Sequence, residues 1–168
     1  MDTHGTVRSA RTADCATIAA IYNEGIADGR STFETQTRTA ADIDEWFESA
    51  NHPVLVAESD GMVVGWARLS PYGPRPCYAG VGEASVYVAA SARGRGLGTI
   101  IATALRDRAE SAGFHKVIGK LFVENEQSRR LAARHGFREV GVHQRHGTVD
   151  GEWRDVLVME LLLGKAAN

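Results

Sequence analysis

The stretch from Ser85 to Ile101, SVYVAASARGRGLGTII, passes from alternating apolar residues through a basic, glycine-rich corner into a helical pattern. No other segment constrains the fold as much. A strand that feeds a helix through Gly94, Gly96 and Gly98 implies a sheet with helices on its faces. A helix starting near Gly96 presents unpaired backbone N–H groups and a partial positive charge. The three glycines leave the approach open and permit backbone angles closed to other residues. Arg93 and Arg95 add full charge. A phosphate or pyrophosphate is the ligand that suits such a corner. The plain alternative is a strand-to-helix turn with surface arginines.

The rest of the chain reads as elements of the same kind. Gly5 to Arg8 opens a first strand. Thr12 reads as the N-cap of a helix carrying Ile18, Ile21, Tyr22 and Gly25. Gly29 to Arg38 reads as a polar loop around Phe33. Thr39 caps a second helix, with Asp42 completing a capping box and Ile43, Trp46 and Phe47 facing inward. Val54–Ala57 and Met62–Leu69 read as strands joined at Ser59-Asp60-Gly61. Ser70 to Gly82 holds three of the four prolines and is expected to be a constrained loop. Glu83–Val88 is a strand, Gly96–Gly113 a helix and Val117–Val123 a strand. Asn125 caps a short helix ending at Gly136. Phe137–Gln144 and Asp155–Leu163 form a last antiparallel pair, joined across His146 to Arg154. The predicted architecture is α/β (α+β), a mixed, mostly antiparallel sheet flanked by helices, as a single domain over 1–168 with its core at about 5–163.

The net charge is −2, so any anion site is local and a general polyanion-binding role is not indicated. Cys15 and Cys77 form no CxxC pair, and no cysteine or histidine spacing suggests a metal. The N-terminus lacks a signal-peptide core. The apolar run near Val156–Leu163 is broken by Glu160 and too short to span a bilayer. A cytoplasmic protein acting on small molecules, with no nucleic acid or membrane partner, is expected.

Gly94, Gly96 and Gly98 give G-x-G-x-G, whereas the dinucleotide fingerprint needs G-x-G-x-x-G. A P-loop needs G-K-[S/T], and Leu97-Gly98-Thr99 stands in that place. R-x-x-G-x-G at Arg93, Gly96 and Gly98, following SVYV, resembles the acyl-CoA pyrophosphate loop of the GNAT N-acetyltransferases. Asn125, Ser128 and Gly136-Phe137 resemble that family's second signature, and the order of elements matches over nearly the whole chain. IYNEGI, STFET, SPYGPRPCYAG, EASVYV and HGTVDGEWRDV are similar to the phosphinothricin/methionine sulfoximine acetyltransferase branch. RPCYAG followed by RHGTVDGEWRDV is most like the arsinothricin N-acetyltransferases.

The resemblance implies a GNAT fold, acetyl-CoA as cosubstrate, no metal, an amino-acid-like acceptor and a homodimer. It implies coenzyme contacts from Ser85, Val86, Tyr87 and Val88. It implies further contacts from the loop Arg93, Gly94, Arg95, Gly96, Leu97 and Gly98, and from Asn125 and Ser128. Glu83 takes the position of the general base, acting directly or through water. A backbone N–H near Val86 or Tyr87 faces the thioester oxygen. Arg75, Phe33, Tyr72 and Tyr78 are the candidate acceptor-binding residues, with His146, Trp153 and Asp155 at the pocket border. Relatives carry a tyrosine or histidine seven residues after the motif asparagine; here that position is Ala132. This leaves water, or more weakly Tyr87, Tyr72 or Tyr78, to protonate the leaving thiolate. The expected activity is N-acetylation of the α-amine of an arsinothricin, phosphinothricin or methionine sulfoximine type compound. The alternatives are another amine, such as a polyamine or protein N-terminus, or a non-catalytic acyl-CoA sensor.

Overall fold

The computed structural model describes residues 5–168. Its elements follow the predicted order: β1 (Gly5–Ser9), α1 (Cys15–Asp28), α2 (Ala40–Asp44), β2 (Val54–Ser59), β3 (Met62–Pro71), β4 (Val81–Val88), α3 (Leu97–Ser111), β5 (Lys116–Phe122), α4 (Glu126–Arg134), β6 (Arg138–Val149) and β7 (Glu152–Leu162). The seven strands form one sheet in the order β1-β2-β3-β4-β5-β7-β6. Only β4 and β5 run parallel, so the sheet is mixed and mostly antiparallel.

The turns explain themselves locally. The β2–β3 hairpin closes on Asp60 and Gly61 at φ 53° and 77°, the left-handed pair a tight hairpin requires. Thr39 caps α2 through the predicted box, its hydroxyl accepting from the Asp42 N–H at 3.3 Å and its own N–H donating to Asp42 at 2.6 Å. The α1 start differs from expectation. Thr12 opens a 3-10 turn, and the capping carboxylate is Asp14, which accepts the Arg11 N–H at 2.7 Å. Arg8 explains the choice: its guanidinium grips both Asp14 oxygens, at 2.8 and 3.0 Å, and holds that carboxyl below its usual range. Thr12 has no such partner and stays exposed.

Each face of the sheet carries its own core. On one, Tyr22, Trp46, Trp66 and Tyr87 pack together under α1 and α2, with Trp66 and Tyr87 stacked at 4.7 Å. On the other, Leu55, Leu69, Ile101, Leu105 and Phe114 pack beneath α3. Each such side chain contributes about 1.5–3 kcal/mol by leaving water. The C-terminal pair also differs from expectation. His146 to Arg154 is not a connection but mostly strand, and the hairpin turns only at Asp150-Gly151, φ 51° and 80°. A bulge between His143 and Gly147 hides this from the sequence pattern, because it breaks the alternation of the strand.

The feature that positions the site lies at the sheet centre. β4 pairs with β5 through Val81↔Lys116, Gly82↔Val117 and Glu83↔Ile118, and with none of the residues beyond. β5 continues to Phe122 alongside β7, while β4 continues to Val88 alongside β3. The two strands therefore diverge from Glu83 onward and open a gap in the sheet.

Candidate active site

On the helix side of the gap lies a cavity of about 630 Å³. Its walls are the ends of β4 (Val86, Tyr87, Val88), the start of α3 and the start of α4. Gly94 and Gly96 both adopt left-handed angles, φ 77° and 78°, and Gly96 is the N-cap of α3. This conformation turns successive amides outward at a helix start, which suits an anion. Gly98 lines the same cavity, but from inside α3 and with no left-handed angle; a Cβ there would touch Leu131 at 3.5 Å. Leu97 is buried, so it anchors the corner from beneath. Arg93 lines the cavity and is tethered, donating to the Val88 carbonyl at 3.1 Å and to Asp28 at 3.4 Å. Arg95 is exposed and is not part of the wall. Arg130, Arg134 and Arg154 line the wall beside α4 and β7; the motif did not point to them.

A second cavity, of about 480 Å³, opens around Glu83. The two share Val86, Tyr87, Asn125 and Ser128 as common wall. The Asn125 amide oxygen accepts the Ser128 N–H at 3.1 Å, so the residue caps α4 while facing both cavities. β3 and β4 pair without a register shift, and the Ala89 N–H donates to the Val64 carbonyl at 2.8 Å. Alternation then turns the backbone groups of Tyr87 toward β3 and those of Val86 toward the gap. Of the two oxyanion candidates, Val86 has its amide on the correct side.

Glu83 reaches the second cavity paired with Lys120, Nζ to Oε2 at 2.8 Å. Both side chains are partly exposed, so the pair is worth about 0–1 kcal/mol and opens readily. Phe33 forms the expected apolar wall, edge-on to Phe122 at 4.8 Å. His146 lines the same cavity from the β6 bulge, whose Arg145 N–H donates to Asp155 at 2.7 Å. Trp153 is exposed. Arg75, Tyr72 and Tyr78 are not brought into this cavity: they lie on the exposed loop between β3 and β4. Tyr72 and Tyr78 pack edge to face at 5.3 Å, and Lys120, 5.9 Å from the Tyr72 ring, links that loop to the cavity.

Tyr22, Lys120 and His135 are among the lining residues that escaped sequence reasoning. Tyr22 reads there only as a core position of α1. Lys120 interrupts the apolar pattern of β5, and that interruption is its one signal in the sequence. His135 lies one turn beyond Ala132, and both of its nitrogens are engaged. Nδ1 donates to the Leu131 carbonyl at 2.8 Å, and Nε2 faces Thr103 Oγ1 at 3.1 Å. It pins α4 to α3 and offers no free proton to the cavity. Tyr87 is no better a donor, since burial pushes its phenol up to about 12, above a thiol near 8.5. Among the described residues no cluster of three or more His, Cys, Asp or Glu side chains forms a metal site.

Known proteins share this arrangement. A sequence profile described as the acetyltransferase (GNAT) family matches residues 18–137. An L-amino acid N-acyltransferase of Escherichia coli is 34% identical over 160 residues, covering 94% of this chain and 93% of its own. An L-methionine sulfoximine/L-methionine sulfone acetyltransferase of Pseudomonas aeruginosa is 32% identical over 161 residues, covering 94% of each chain. Among solved structures, a GNAT superfamily phosphinothricin acetyltransferase from Sinorhizobium meliloti in complex with AcCoA superposes with a TM-score of 0.91. It is 30% identical, and the match covers 96% of this chain and 90% of the other.

Proposed function

The chain belongs to the GNAT acetyltransferase family, and from that premise we propose that it transfers acetyl from acetyl-CoA to the α-amine of a small amino-acid analogue. Phosphinothricin, methionine sulfoximine and arsinothricin are the acceptors considered. The product would be a capped, inactive glutamate mimic, which makes the role one of detoxification and resistance. The observation that carries the reading is the shared wall of the two cavities. A diphosphate at the start of α3 and an amine at Glu83 would face one another across that wall, which includes Val86, Tyr87 and Asn125.

The residues present suit the coenzyme. Left-handed Gly94 and Gly96, the α3 N-terminus and Arg93 offer donors and positive charge to a diphosphate. Asn125 and the β4 backbone from Ser85 to Val88 flank the path from there to Glu83. The thioester supplies an electrophilic carbonyl. Glu83, directly or through water, takes a proton from the acceptor ammonium, which frees the nitrogen lone pair. The Val86 N–H faces the carbonyl oxygen as charge gathers there. The nitrogen–carbon bond forms and the carbon–sulfur bond breaks. Of the two protons the ammonium loses, the equivalent of one goes to the leaving sulfur and one to solvent. Water serves the sulfur, since Ala132 offers nothing.

A homodimer belongs to the same reading. On β6 and β7, at the edge of the sheet, Val140, Val142 and Trp153 are 50%, 49% and 62% exposed, apolar side chains that a second copy would cover. So do a single-domain organisation and a cytoplasmic setting, which suits the free thiols of Cys15 and Cys77. Coenzyme binding without transfer is the rival suggested by Ala132; Glu83 in the second cavity speaks against it.

The test is release of free CoA thiol from acetyl-CoA across a panel of the three analogues and simple amines. Glu83→Gln is expected to lower kcat about 100-fold or more while the KM for acetyl-CoA holds. Coenzyme binding with no thiol release on any amine would establish the sensor instead.

A further inference from the structure

We propose that Lys120 selects an α-carboxylate on the acceptor, so that Glu83 and Lys120 together read the zwitterion of an α-amino acid. This rests on the acetyltransferase reading above and narrows its acceptor class. The two side chains come from different strands and meet at the point where those strands part. Glu83 is the last β4 residue paired with β5, opposite Ile118. Lys120 lies two positions beyond Ile118 on the same face. Its neighbours on that face, Ile118 and Phe122, are 8% and 5% exposed, so the cation sits between two buried apolar side chains. Packing has no use for an ammonium there. What faces it is the Glu83 carboxylate at 2.8 Å, the Tyr72 ring at 5.9 Å and the open cavity.

The remaining charges around the cavity are taken. Glu34 is paired with Arg38 at 2.6 Å, and Arg106 with Asp107 at 3.0 Å. Glu83 and Lys120 therefore hold one negative and one positive charge that neutralise each other until an acceptor arrives. A simple amine brings its ammonium to Glu83 and leaves Lys120 beside it as an uncompensated like charge. An α-amino acid carries its carboxylate and ammonium on the same carbon. Its ammonium turns to Glu83 and its carboxylate to Lys120, so that four charges alternate in sign around a small ring. Attraction to the acid and repulsion of the bare amine then act together, which is how specificity is built. Side-chain anions of the acceptor fall outside this ring and are left to the loop of Arg75.

The experiment uses the full chain with acetyl-CoA. The acceptor is whichever of phosphinothricin and methionine sulfoximine is turned over faster, compared with its α-carboxamide. Lys120→Met keeps the aliphatic stem and removes the charge; Lys120→Arg keeps the charge. We expect Lys120→Met to raise the KM of the acid at least about tenfold, as for a lost charge-assisted hydrogen bond. The carboxamide should stay within about twofold, and Lys120→Arg should recover most of the preference. An unchanged KM for acetyl-CoA shows that the variant is folded. Equal losses on acid and carboxamide would mean that Lys120 only holds Glu83 in place, and would overturn the proposal. So would an unaltered preference for the acid in Lys120→Met. A wild-type protein that acetylates no α-amino acid at all would instead overturn the transferase reading, and this inference with it.

Discussion

The 630 Å³ cavity beside α3 and the 480 Å³ cavity around Glu83 are built by different means. The first is centred on main chain, namely left-handed glycines, a helix start and the free edge of β4, with arginine side chains at its rim. Its essential parts lie within a few residues of one another in sequence. The second is lined by residues of α1, the α1–α2 loop, β4, α3, β5, α4, the β6 bulge and β7. Those segments run from Tyr22 to Leu161 in sequence. A fixed ligand group can be met by a local backbone device, whereas a variable acceptor is met by side chains that tertiary packing assembles. If the division is right, damage on one side leaves the Michaelis constant of the other side alone.

The most severe test is Gly96→Val. At φ 78° a β-branched residue is strained by about 1–3 kcal/mol, and its methyl groups would enter the cradle at the start of α3. We expect the KM for acetyl-CoA to rise about 100-fold, with the acceptor KM within about twofold. Steady-state kinetics with each substrate varied in turn decides it. A comparable rise in both constants would show that the two cavities are one coupled site.

The converse test is Gly147→Ala. A Cβ at Gly147 would stand 2.6 Å from Phe33 Cε1 and 2.9 Å from Cζ, closer than atoms can approach. Phe33 already abuts Phe122, so its ring has to move within the acceptor cavity. Overpacking of this kind costs about 1–3 kcal/mol, which we expect to read as about a tenfold rise in acceptor KM with acetyl-CoA unaffected. Combining it with Phe33→Leu, which makes room, should restore part of the loss and give a non-additive cycle. Additive losses would show that Phe33 is not the residue displaced.

The same division explains what the sequence disclosed. The order of elements was readable because each carries a local signal: the turn at Asp60-Gly61, the capping box at Thr39, Asn125 before α4 and Gly136 after it. The anion corner is readable for the same reason, apart from Arg95, which is exposed and outside the cavity wall, and the angle of Gly98, which depends on where α3 begins. The cap of α1 was misplaced onto Thr12 because the ion pair that selects Asp14 reaches in from β1. The strand through His146 to Arg154 was missed because a bulge erases the period-two pattern. In the acceptor cavity Glu83 and Phe33 were found by resemblance. Lys120 was not, since its meaning appears only when β5 is laid beside β4. No local rule brings Gly147 against Phe33.

Arg75 gives the smallest effect and the finest test. Its backbone is fixed between Pro74 and Pro76, and its carbonyl accepts the Tyr78 N–H at 2.9 Å, but its side chain is exposed and outside the cavity wall. A solvated guanidinium pairing with an anion contributes about 0.2–1 kcal/mol. Arg75→Ala should therefore raise the acceptor KM about two- to fivefold. The loss should fall on phosphinothricin, whose side chain carries a second anion, and not on methionine sulfoximine, whose side chain carries none. It should also fade as salt is raised, because exposed pairs are screened. A loss of 50-fold or more (about 2.3 kcal/mol), indifferent to salt, would require Arg75 to be desolvated against the acceptor. The loop from Pro71 to Gly80 would then have to fold down over Glu83 and Lys120 during turnover. In that event the acceptor cavity would be closed by a proline-braced local segment, and the contrast between backbone-built and side-chain-built sites would hold only for the open protein.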